Sequence, residues 1–445
     1  MRPGNRAPGP GRTGLDLALP RASAAEDTRM DHLVCGRTPG PARTVATGRL
    51  AAALLLALIP PAFAGAGTTG PGQDTPGANA EAPAPAADAG MFRDSEDGRF
   101  DMSNWLLEHR GFLPVPIIIT DPALGYGGGV VLAFFHRPEG SPTTRTAADG
   151  STQMIAPNMM GVLAMKTENG STAYGGGGLL HFRDDTWRYK GGVAEADFNI
   201  DFYTSGRLLP ETKVAVNLAG LGSMQQVSRR IGDRDMFVSA QWVYTDLDPR
   251  LQDASQRPLF DDIDFQQVNS GLGLSLEYDS RDNSFTASRG YLWLLQGNAY
   301  LPAIGSDVTF QTYRTHVYAY WPLGTQFVLG GRADLRHASG DVPFYRLPFI
   351  DLRGIASARY QDDSVGVLET ELRWNITPRW AGVGFMGAGR AWGERAGFDD
   401  ADTAVSKGLG VRYQIARQIG LYVGADYAWG PEDRTVIIQM GSAWR

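Results

Sequence analysis

The sequence is poor in cysteine, in recognisable catalytic motifs and in long apolar runs. Its one cysteine in 445 residues, Cys35, excludes an internal disulfide and a cysteine-ligated metal site. The six histidines show no H-E-x-x-H spacing and G-x-S-x-G is absent, so zinc hydrolysis and a nucleophile elbow lack support. The longest uninterrupted apolar run is Leu50–Ile59, which as a helix spans about 15 Å, half a bilayer core. No transmembrane helix is expected. Charge of neither sign dominates: 41 Lys and Arg face 48 Asp and Glu, a net −7, which excludes a basic nucleic-acid footprint, and nucleic acid is not an expected partner. Gly382-Val383-Gly384-Phe385-Met386-Gly387 has the form G-x-G-x-x-G, but a dinucleotide fingerprint must open a helix and Ala388–Trp392 continue a strand. No cofactor, no metal and no enzymatic activity are therefore expected. What the chain has in excess is glycine and proline, 56 and 27 residues, a share that argues against a compact helical enzyme.

Residues 1–64 have the form of a secretory signal peptide: Arg37, Arg43 and Arg49, the apolar run, Pro60-Pro61, then the small-residue box Ala62-Phe63-Ala64. Met30 is an alternative initiator. Residues 65–100 form an Ala/Gly/Pro-rich linker expected to be disordered, since from Gly65 to Gly90 there is no Val, Ile, Leu or aromatic residue to bury. Residues 101–112 predict one short amphipathic helix, with Asp101 as N-cap, Met102, Trp105 and Leu106 on one face, and Gly111 as stop. It is placed at the periplasmic mouth of whatever follows.

From Leu113 the hydrophobic period becomes two. In Ala194–Phe202 the even positions are apolar and the odd ones are Glu195, Asp197, Asn199 and Asp201; Phe327–Arg336 and Gly408–Gln414 alternate likewise. Such strands, with charges deep in their middle, fit a membrane-spanning antiparallel β-barrel over 113–445, apolar face to lipid and polar face to lumen. The fold class is all-β, with about sixteen strands separated by turn signals such as Asn169-Gly170 and Asp184-Asp185. Long connections at Asp246–Asp264 and Ala338–Asp363 fall on one side, the outer one if both termini are periplasmic. A third, Arg137–Pro157, falls on the other. The bacterial outer membrane is the expected location.

The second half resembles the BamA/TamA-like outer-membrane family, the bacterial surface antigen barrels. Asp279-Ser280-Arg281-Asp282-Asn283 through Ser288-Arg289-Gly290-Tyr291 look like the family's periplasmic turn, and Leu352-Arg353-Gly354-Ile355 looks like its loop-tip motif. Three strands separate the two and five follow, as a sixteen-stranded barrel of that family requires. The resemblance implies that Arg353 folds into the lumen and meets Glu371, with Glu369 and Arg373 on the same face. It departs where the family's second partner, an aspartate, is replaced by Gly387, leaving the anchor to be rebuilt through Glu369. It departs again where the stretch before Phe112 is too short for a POTRA domain, so the chain looks like a POTRA-less member. The implied function is insertion or translocation of protein or lipid, with outer-membrane lipid and unfolded outer-membrane or secreted proteins as partners; the alternative is a passive pore or structural barrel. Two further expectations concern the ends of the barrel. Pro114 and Pro116 in the first strand and Gly441 near the last mark a weak closing seam. Val436, Ile438, Met440 and Trp444 are expected to face lipid at period two, Trp444 as the aromatic of a C-terminal export signal.

Overall fold

The computed structural model describes residues 92–108, 112–136, 158–206, 209–232, 234–252, 266–283, 285–418, 420–432 and 434–444, with a few residues between 142 and 154. The signal peptide and the linker up to residue 91 lie outside the described residues. A six-residue helix α1 (Ser103–Glu108) precedes β1 (Phe112–Ile119) and β2 (Gly127–His136). A small hairpin, β3 (Thr144–Thr146) and β4 (Thr152–Met154), stands in the next connection. Then come β5 (Asn158–Thr167), β6 (Thr172–Phe182), β7 (Trp187–Gly206), β8 (Leu209–Arg230), β9 (Met236–Leu251), β10 (Gln267–Asp279) and β11 (Gly290–Tyr300). The series ends with β12 (Phe310–Leu323), β13 (Phe327–Gly340), β14 (Ser364–Asn375), β15 (Trp380–Trp392), β16 (Thr403–Ala416), β17 (Leu421–Trp429) and β18 (Arg434–Met440).

Leaving out the hairpin, these form one sixteen-stranded sheet in which neighbours in sequence are neighbours in space, each pair antiparallel. The expected all-β architecture and strand number are observed, and Thr172–Phe182 and Trp380–Trp392 agree end to end. The sheet curls into a nearly closed barrel. Strand alternation requires the connections after β9 and β13 to share one end and the termini to share the other, with the β3–β4 connection.

The period-two pattern works as physical chemistry demands along most of the wall. Leu274, Leu368 and Leu409 point outward and are more than 60% exposed, while Arg332, Asp334, Glu369, Arg412 and Asp426 point inward and are buried. Cross-strand register keeps the faces aligned, Arg332 standing opposite Glu369. The expectation fails over the second half of β7. There Ala194, Ala196, Phe198, Ile200 and Phe202 line the lumen and are buried, and the acidic positions face outward. The reason is length. β7 and β8 run for 20 and 22 residues, about twice what a tilted spanning strand needs, so their far halves stand beyond the hydrocarbon. Outside them is water, which suits the pairs Lys213–Asp201 at 2.6 Å and Asn217–Asn199 at 2.9 Å; inside them is a loop. Phe344 packs edge-on against Phe202, 4.9 Å between centroids, and with Tyr345, Ala356 and Ala358 completes the apolar cluster.

Candidate functional site

The 341–363 connection between β13 and β14 folds back into the lumen. Ile350, Leu352 and Ile355 are buried against Val365, Val367 and Ala404, and the wall of β15 receives them through glycines. A Cβ on Gly387 would fall 2.6 Å from Leu352, and one on Gly389 2.6 Å from Ile350. Gly354, at φ +84°, lies against Ala428, where a side chain would again collide. The loop tip thus depends on small residues at three places.

Arg353, at the tip, is buried. Its Nε donates to Glu369 Oε1 at 2.8 Å, and one terminal nitrogen donates to Glu371 Oε2 at 2.6 Å and to Asp426 Oδ2 at 2.9 Å. The guanidinium also covers the Phe385 ring, 3.5 Å from its centroid, and the Ser406 hydroxyl donates to the Arg353 carbonyl. A buried cation needs such carboxylate partners, because desolvation otherwise outweighs Coulomb attraction. The sequence reading brought Arg353 to Glu371 and Glu369, and all three meet. It missed Asp426 of β17, which supplies the third carboxylate. Arg373 shares the inward face but lies away from the tip, donating to Ser288 Oγ at 2.6 Å. A second cluster adjoins the first: Arg314, Arg332 and Arg336 each donate to Asp334, and the last two also to Asp351 of the loop, both at 3.0 Å.

From Asp426 the contacts run on to the last strand. Arg412 donates to Asp426 Oδ2 at 2.9 Å and to Gln439 Oε1 of β18 at 3.1 Å. Trp444 corrects the expectation of a lipid-facing end. β18 stops at Met440, Gly441 turns the chain at φ +79°, and Trp444 enters the lumen, 3% exposed. Its Nε1 donates to Glu369 Oε2 at 2.7 Å, its ring lies beside Tyr318 and Tyr320, and Ser442 bonds the Tyr320 hydroxyl. Of the outward-facing set, Val436 is exposed as expected.

β1 and β18 stand side by side at the two ends of the sheet order, with no ladder between them among the described residues. Backbone N–H direction alternates along a strand, so Pro114 and Pro116, two apart, withhold their donors from the same edge. β1 keeps its full register with β2 through both prolines, which leaves their vacant positions on the β18 side. The inserted loop reaches across. Arg353 connects through Asp426 and Arg412 to β18, while Ser357 donates to Asp121, just after β1, at 2.9 Å.

The Omp85 superfamily domain, as a family model, matches residues 180–442. The chain belongs to the Omp85 superfamily. Among solved structures the chain is similar to BamA from Haemophilus ducreyi lacking POTRA domains 1–3, with TM-score 0.52 and 13% identity, covering 75% of this chain and 70% of that one. It is also similar to CdiB from Acinetobacter baumannii, with TM-score 0.48 and 12% identity, covering 74% of this chain and 59% of that one. No curated protein matches in sequence.

At the end of the barrel that bears the termini, residues 92–108 form an ordered cap, so residues 92–100 correct the expectation of disorder for that part of the linker. An isolated bridge pairs Arg93 with Phe100. Arg379, in the β14–β15 turn, is fully buried by Asp94, Asp97 and Asp101, with Asp97 Oδ2 at 2.7 Å. Arg417, after β16, donates to Asp94 and Glu96. The Arg379 hydrogen bond, aided by the Arg99 N–H, lowers the Asp97 carboxyl from 3.8 to about 2. For Asp101, burial raises the pKa, and bonds from Ser103 and Arg379 overcome it to hold it low. At the start of α1, the Met102 N–H donates to the Ile415 carbonyl at 2.7 Å and Ser103 Oγ accepts from the Gln418 N–H at 3.1 Å. The cap, which precedes β1 in the chain, is therefore held to the turns around β14–β17. In the 279–290 turn Asp282 Oδ1 accepts the Ser288 and Arg289 N–H groups, and Gly290 takes φ +94°.

Proposed function

We propose that this protein inserts or translocates protein, or lipid, at the bacterial outer membrane by parting the seam between β1 and β18, without covalent chemistry of its own. The observation that carries this reading is the one break, among the described residues, in an otherwise continuous ladder. Side-chain contacts of the inserted loop bridge that break near the outer mouth, and at the other end the 92–108 cap that precedes β1 is held by side chains to the β14–β17 turns. Side-chain contacts can be exchanged one at a time, whereas a full ladder must be broken together. Unfolded outer-membrane or secreted proteins and membrane lipid are the partners such a seam would admit. A passive pore is the weaker reading, because the 341–363 loop and the Trp444 tail occupy the lumen.

The test is to place single cysteines in Val115–Ile119 and in Thr435–Met440 and to oxidise the pairs in proteoliposomes. Crosslinks should form, and assisted insertion of an unfolded outer-membrane protein should stop and return on reduction. Full activity in the crosslinked barrel would refute the moving seam. A large, steady conductance in planar bilayers would favour the passive pore.

A further inference from the structure

The cap carries an aromatic patch that its ion pairs do not explain. Phe92 and Phe100 stack at 6.2 Å, 43% and 50% exposed, and Trp105 leans on Phe92 at 5.7 Å. Three aromatic rings on a segment already docked by its carboxylates, the Met102 N–H and Ser103 would be a poor choice in water. Their position explains them. The Tyr413 hydroxyl donates to the Phe100 carbonyl at 2.9 Å, and Tyr413 packs edge-on against exposed Trp380 at 4.9 Å. Tyr413 and Trp380 stand opposite one another in register at the periplasmic ends of β16 and β15. Both lie on the outward face, two residues along from lipid-facing Val411. The cap therefore reaches around the rim to the lipid side of the wall, in line with the interfacial aromatics, where rings with one apolar and one wet side are favoured.

We infer that the Phe92–Phe100–Trp105 patch seats in the periplasmic leaflet of the outer membrane, so that the cap is a membrane-surface anchor as well as a strap. Continuity with the aromatic belt identifies the occupant as phospholipid. Arg93 and Arg99, exposed beside the two phenylalanines, are placed to meet lipid phosphates, while Asp94, Asp97 and Asp101 are turned inward onto Arg379. The anchor fixes where the polypeptide leaves the barrel, along the bilayer surface and not beneath the lumen.

The test uses the full chain with Cys35→Ser, spin-labelled at Phe92→Cys or Phe100→Cys, in vesicles of phosphatidylethanolamine and phosphatidylglycerol. Ser95→Cys serves as a wet control and Trp380→Cys as a belt control. Labels at 92 and 100 should collide with oxygen more than with a water-soluble nickel chelate, at a depth of roughly 5–10 Å, as for an interfacial segment. They should match position 380, while position 95 meets nickel freely. If 92 and 100 meet nickel as freely as 95, the anchor is excluded and the patch faces water or a missing protein partner. Heat-modifiability checks that each labelled barrel is folded, and Trp105→Cys takes the place of a label that prevents folding, with the same two outcomes.

Discussion

The two sides of the lumen solve one problem with opposite chemistry. Along β13, β14, β16 and β17 the wall presents Arg332, Asp334, Glu369, Arg412 and Asp426, and the inserted loop answers with Arg353 and Asp351. Along the far halves of β7 and β8 the wall presents Phe198, Ile200, Phe202, Val216 and Leu218, and the same loop answers with Phe344, Tyr345 and Ala358. A barrel lumen is polar where water or charge fills it and apolar where a loop seals it, so the inward face follows its contents. The charged side specifies one position of the loop, because each carboxylate needs its own donor. The apolar side holds the loop without directional demand.

Breaking the charged side should have the largest effect. Arg353→Met leaves Glu369 and Glu371 short of a donor in the interior and should lower unfolding free energy by about 3–5 kcal/mol, read as a fall in the heat-modifiability transition. Ile200→Val on the apolar side should cost only about 0.5–1.5 kcal/mol. Equal costs would mean that the loop is held by area alone. The next effect comes from Gly387. Restoring the family aspartate with Gly387→Asp drives a side chain into Leu352 and should destabilise by about 1–3 kcal/mol, part of which Leu352→Ala should recover. A neutral Gly387→Asp would show that the loop does not use the notch. Smallest is the acid dependence of the cap, which sharpens the comparison by testing exposed charge. Asp97 is held below its ordinary 3.8, at about 2, so its contribution to docking is complete above the higher value and is lost as pH falls through the lower. The mobility of a spin label at Ser95 should therefore stay low through pH 4 and rise only near pH 2; release near or above pH 4 would contradict the Arg379 clamp.

Much of this was legible in the sequence, for reasons that also explain the misses. Sixteen strands could be read because a spanning strand imposes period two, and Arg353, Glu369 and Glu371 because the loop tip and the following strand resemble a known family's motifs, with parity setting the two glutamates on one face. Asp426 was missed although it carries a signal: it is the lone carboxylate of β17, and register sets it opposite Gly410, beside Arg412. The greasy face of β7 was assigned outward because alternation alone does not say where the bilayer ends. Trp444 was placed in lipid by extending the parity of β18 past Gly441, where a positive φ cancels it. The cap at 92–100 has almost no apolar run, and the Asp94 carboxylate finds Arg379 and Arg417 285 and 323 residues away in sequence, a pairing that only the curled sheet creates.

The most direct test of the account is a double-mutant cycle on the pair that the sequence did not reveal, Arg353→Met with Asp426→Asn, measured by unfolding of the reconstituted barrel. Tip anchorage by a third carboxylate predicts a coupling energy of about 1 kcal/mol or more. Additivity within about 0.3–0.5 kcal/mol, the level found for independent sites, would mean that Asp426 serves Arg412 alone and that the loop is not tied to the last strands.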